Sequence, residues 1–196
     1  INVDVDGESS GSGAAISQQL TNTTNIVQTV VYTVTPTSGA NGTCVGDTFE
    51  VTVVVNPTPV IPNLTDEICS GEIFSVTPSN TPPTTIVPAG MTYVWTVAIN
   101  VDVDGESSGS GAAISQQLTN TTNIVQTVVY TVTPTSGADG SCVGLDFTLS
   151  VEVDPTPSID AVFPAAICSG ASFSVSPVNG GGINSTDIVP ANTTYT

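Results

Sequence analysis

The sequence contains no lysine, no arginine and no histidine, against 17 aspartates and glutamates, for a formal net charge of −17. No side-chain salt bridge can form within it. Nucleic acid and anionic lipid are held mainly by Lys and Arg, so both drop out as partners. Without His and Lys, the usual general bases and amine nucleophiles are missing, and Ser-His-Asp or Cys-His centres cannot be assembled. Histidine-ligated metal sites and lysine-based isopeptide staples are excluded too. The expectation is a protein that is not an enzyme and carries no cofactor. No apolar run is long enough to span a bilayer, so no membrane insertion is expected.

Charged residues are only 9% of the chain and apolar residues 39%. That is not the composition of a disordered acidic tail. The chain is also repetitive: residues 1–40 recur letter for letter as residues 99–138, a period of 98. A fixed period of this size marks a tandem array of folded units. The register continues through Cys44-Val45-Gly46 and Cys142-Val143-Gly144, through Pro57-Thr58-Pro59 and Pro155-Thr156-Pro157, and through Ile68-Cys69-Ser70-Gly71 and Ile167-Cys168-Ser169-Gly170. Two prolines in three residues fix φ, remove backbone donors and favour an extended connector. Cutting there gives the latter half of one repeat at 1–56, a complete repeat at 57–154 and the first half of the next at 155–196, so the chain reads as a window on a longer array.

Several segments alternate with period two, which places every second side chain on one sheet face. Met91–Ile99, Val125–Thr133, Phe147–Val153 and Ile73–Val76 are the clearest, and Ala112–Leu118 is a weaker one. Gly- and Ser-rich turns separate them. No stretch has a convincing 3.6-residue period. Short antiparallel strands in a unit of this length predict an all-β fold of tandem immunoglobulin-like β-sandwich repeats, with Trp95 as a core plug. Trp95 and Tyr93 could alternatively form a sugar-stacking platform.

Taken together, Ile68-Cys69-Ser70-Gly71, Phe74-Ser75-Val76-Thr77-Pro78, Tyr93-Val94-Trp95, Val129–Pro134 and Cys142-Val143-Gly144 resemble the PKD-like, Ig-like repeats of large secreted Bacteroidetes surface adhesins. Those include gliding-motility adhesins exported by the type IX system. The resemblance implies an extracellular, cell-surface stalk or filament whose modules give reach and mechanical continuity. Neighbouring repeats of the same chain would be the main partners, with surface glycans or other stalks as further ones. The alternative is an Ig-like module that binds glycan or calcium.

Three candidate sites remain. Asp102, Asp104 and Glu106, repeated as Asp4, Asp6 and Glu8, place carboxylates at alternate positions before a turn and could offer oxygens to Ca²⁺, although EF-hand spacing is absent. Asn-x-Thr sequons occur at Asn22, Asn41, Asn63, Asn120, Asn184 and Asn192. The four cysteines show no CxxC spacing, which favours a disulfide framework over zinc. The repeat boundaries put Cys69 and Cys142 in one module, predicting a bond that closes a loop of about 73 residues and contributes roughly 4 kcal/mol. That bond requires Cys69 to lie near the start of the last strand.

Overall fold

A computed structural model describes residues 2–39, 41–181 and 185–196. The chain forms two compact units. One comprises Ile1–Pro62, Pro78–Tyr93 and Thr133–Asp146, the other Asn63–Thr77, Val94–Val132 and Phe147–Thr196. All the regular structure among the described residues is strand.

In the first unit, β1 (Val5–Asp6) pairs with β2 (Thr21–Asn22), and β3 (Gln28–Val34) forms an antiparallel hairpin with β4 (Phe49–Val55). Nine further strands follow. They are β5 (Leu64–Cys69), β6 (Ile73–Val76), β7 (Thr92–Val97), β8 (Val103–Asp104), β9 (Gly109–Gly111), β10 (Ile114–Gln117), β11 (Thr119–Asn120), β12 (Gln126–Thr135) and β13 (Phe147–Asp154). A five-stranded sheet has the order β5-β13-β12-β7-β9, while β6 pairs with β10 and β8 with β11. This is an all-β, immunoglobulin-like sandwich.

The alternation read from the sequence sets the layers. Phe147, Leu149, Val151 and Val153 of β13 and Val128, Tyr130 and Val132 of β12 are all buried, whereas Glu152 faces solvent. Phe74 of β6 meets Tyr130 with ring centroids 5.5 Å apart and planes at 46°, which joins the second layer to the first. In β7, Tyr93 and Trp95 are buried and Val94 is exposed, but Ile99, expected inside, lies beyond the strand and is exposed.

β5 runs parallel to β13, with Leu64 opposite Leu149 and Cys69 opposite Asp154. The first strand of the repeat therefore closes against the last. This register corrects the disulfide expectation. Cys69 sits beside the finish of β13, whereas Cys142 precedes the start of that strand at Phe147. All four cysteines are free, so the expected Cys69–Cys142 bond is not formed.

The most deeply buried polar side chain is a neutral amide. Asn120 is 2% exposed. Its Nδ2 donates to the carbonyls of Ile124 (2.7 Å) and Val153 (2.8 Å), and its Oδ1 accepts from the backbone N–H and the hydroxyl of Thr122, each at 2.8 Å. A buried amide has two donors and an acceptor oxygen, and here all are used. The backbone N–H of Asn120 donates to Ser70 Oγ (2.9 Å), the Ser70 N–H donates to the Asp154 carbonyl (2.8 Å), and that of Gly71 to the Leu118 carbonyl (2.8 Å). The Cys-Ser-Gly turn is thereby fastened to both layers.

A second network lies under the indole. Trp95 Nε1 donates to the Ser107 carbonyl (3.0 Å), Gln116 Nε2 donates to the same carbonyl (2.6 Å), and the Tyr130 hydroxyl donates to Gln116 Oε1 (2.8 Å). Burial pushes the Tyr130 hydroxyl well above its ordinary value near 10, and the Glu106 charge adds to the rise. Burial raises Tyr93 as well.

The duplicated block shows which parts of this fold are local. The pairs β1–β2 and β8–β11 form in both copies, and Asn22 repeats the side-chain bonds of Asn120, donating to Ile26 (2.7 Å) and Val55 (2.8 Å) and accepting from Thr24. In contrast, Ile114–Gln117 is a strand because β6 pairs with it, whereas the identical residues 16–19 form none. Ile114 is 1% exposed and its counterpart Ile16 is 49% exposed.

Replacing Asn120 with Ala strands the Ile124 and Val153 carbonyls and the Thr122 N–H. The unfolding free energy should fall by about 2–4 kcal/mol, measured by urea denaturation followed through Trp95 fluorescence. Because folding raises the Tyr130 value, the unfolded chain releases that proton first. Stability is then complete below pH ~10 and declines as pH rises further, by up to about 1.4 kcal/mol per unit for this residue. Urea midpoints at pH 8 and pH 11 should show that decline, and Tyr130→Phe should show a shallower one.

Candidate functional site

The acidic loop is shaped by its own backbone requirements. Gly105 has φ +99°, and a Cβ there would come within 2.2 Å of the Gln117 carbonyl oxygen, so only glycine fits the crossing. In the other copy, Gly7 faces Gln19 in the same way. Beyond this turn, Glu106 folds back, and its Oε1 accepts the Asn100 backbone N–H at 2.6 Å. Asn100 Oδ1 accepts the Asp102 N–H (3.1 Å), and Asn100 Nδ2 donates to Gln126 Oε1 and the Thr127 carbonyl, each at 3.2 Å. Glu8 likewise accepts the Asn2 N–H in the first copy.

Asp102, Asp104 and Glu106 therefore do not converge on one point. Val103 of β8 is buried, the adjoining Asp104 is exposed, and Asp102 lies half-buried in the turn before the strand. Among the described residues, no group of three acidic or sulfur-bearing side chains is arranged to hold a metal ion. Glu106 Oε2 is enclosed without a hydrogen-bond partner. The carboxylate that sequence reasoning offered to calcium closes its own loop instead.

Trp95 is roofed by β9. A Cβ on Gly109 would lie 2.8 Å from Trp95 Cζ2, and one on Gly111 would lie 3.8 Å from Cη2. With its N–H bonded to Ser107 and its ring covered, the indole presents no open face to a sugar, and Tyr93 is buried as well.

The sequons divide by burial. Asn22 and Asn120 have committed their amide nitrogens inside the fold, so a glycan on either would break the network around it. Asn41, Asn63 and Asn192 are exposed, and Asn63 Oδ1 accepts the Thr148 N–H at 2.9 Å. Asn184 lies outside the described residues.

The feature that sequence reasoning missed is the amide set itself: Asn22 and Asn120, Asn2 and Asn100, Gln18 and Gln116. Their signal was available in the exact recurrence of each at the 98-residue period, but an Asn-Thr-Thr segment reads first as a polar loop or a sequon.

A family model for the PKD-like domain matches residues 1–59 and 66–157, which is most of the chain. No curated protein matches it. The sandwich, the parallel closure of β5 on β13 and this match agree, and the chain belongs to the PKD-like domain family.

Proposed function

We propose that the chain is a run of non-enzymatic spacer modules from the stalk of a large extracellular bacterial adhesin or filament at the cell surface, of the kind exported in gliding bacteria. The observation that carries this reading is the letter-for-letter recurrence of residues 1–40 at 99–138 within a PKD-like fold. Exact repetition suits a part whose job is length, because each added copy extends the same rod by the same step. The groups that could have served a ligand are occupied in folding: Glu106 caps its loop, and Trp95 fills the core.

PKD-like domains are commonly extracellular, and no helix among the described residues is long and apolar enough to cross a membrane. With the cysteines free, the extracellular reading rests on the family and not on disulfides. Neighbouring repeats are the partners this reading requires. Contacts with surface glycans or other stalks would belong to parts of the array that differ from this one.

Arrays of one to four complete periods, imaged by electron microscopy, should lengthen linearly by roughly 40 Å per added copy, the length of a ten-residue strand and a connector. Copies that collapse into a globular particle of constant length would contradict the spacer reading. Calcium added to the chain should leave its melting temperature unchanged, and a calcium-dependent rise would favour the ligand-binding alternative.

A further inference from the structure

The Pro-Thr-Pro connector at 57–59 is a packed joint. Pro57 and Pro59 are fully buried within the first compact unit. Gly144 is the floor under Pro59: a Cβ there would come within 2.5 Å of the Pro59 carbonyl oxygen and 3.0 Å of Pro134 Cγ. Immediately before the connector, Asn56 Nδ2 donates to the Asp139 carbonyl. Gly140, with φ +90°, leaves room for this approach, since a Cβ there would lie 3.2 Å from Asn56 Nδ2. A second and weaker tie runs from Asn25 Nδ2 to the Val87 carbonyl at 3.5 Å.

Asn25 and Asn56 belong to the repeat before the connector, and Val87, Asp139 and Gly140 to the repeat after it. Side-chain amides therefore tie consecutive repeats together across the prolines. At the next connector the position of Asn56 is taken by Asp154. A carboxylate only accepts hydrogen bonds, so it cannot replace the amide donor to a carbonyl. Asn56 Oδ1 is itself enclosed without a partner, so an Asp in this seat would bury an unpaired charge as well as lose the donor.

We propose that the residue preceding each Pro-Thr-Pro sets the stiffness of that junction: Asn clamps one repeat onto the next, and Asp leaves the junction unclamped. This inference rests on the spacer reading and deepens it. A stalk built this way has rigid and compliant joints written into its sequence at single positions.

Small-angle X-ray scattering of the chain tests it, comparing the natural protein with Asn56→Asp and with Asn56→Ala, which removes the donor without burying charge. The natural chain, compliant only at the Asp154 junction, should give the narrowest distance distribution of the three. Both variants should give a broader distance distribution and a longer maximum dimension, while Trp95 fluorescence, which reports the second unit, stays unchanged. The proposal is overturned if Asn56→Ala or Asn56→Asp scatters identically to the natural chain while folded. Neither outcome bears on whether length grows with copy number, so a failed clamp and a failed spacer reading are told apart.

Discussion

The structure depends on a buried, fully bonded amide. A chain with no basic side chain cannot neutralise a carboxylate inside its core, and an unpaired buried charge costs several kcal/mol. Its internal polar contacts therefore come mainly from groups that donate and accept without carrying charge. Asn120 does this at the point where β11, the loop after it and the end of β13 meet, joining three segments through one side chain. Gln116 does the same between the Trp95 indole, Ser107 and Tyr130. Most carboxylates lie at the surface or in loop caps; Asp187, 5% exposed, is buried and its Oδ1 accepts the Asp160 N–H at 2.8 Å.

Two identical stretches in one chain separate local from tertiary causes. The loop caps at Glu8 and Glu106 and the glycine crossings at Gly7 and Gly105 form in both from residues of the block alone, whereas the amide clamps at Asn22 and Asn120 form in both but reach outside it to Val55 and Val153. The strand at Ile114–Gln117 is different: it exists where β6 pairs with it and not at residues 16–19. Its half-polar sequence, Ile-Ser-Gln-Gln, has too little apolar character to hold an extended conformation without a partner.

The same distinction explains what could be read from sequence. β13 was legible because it alternates apolar and polar residues throughout, and β12 because it does so apart from the outward-facing Val129. β5 was not, since Leu64-Thr65-Asp66-Glu67-Ile68-Cys69 carries a half-buried Asp at an inward position and pairs in parallel with a strand far away in sequence. That hidden pairing also defeated the disulfide expectation, because the position of Cys69 depends on the register of β5 against β13. The acidic loop was visible as a cluster, but its role depended on where Glu106 turned, which the Asn100 N–H decides. At the connector, proline spacing showed an extended segment, and only packing showed that Gly144 and Pro134 enclose it.

Neutral amides standing in for ion pairs is the claim on which the rest turns, and side-chain hydrogen exchange tests it directly. In an NMR exchange experiment on the natural chain, the Nδ2 protons of Asn22 and Asn120 should be the most slowly exchanging side-chain amides, protected in both copies. Exchange of either amide at the rate of exposed residues such as Asn41 would contradict the account.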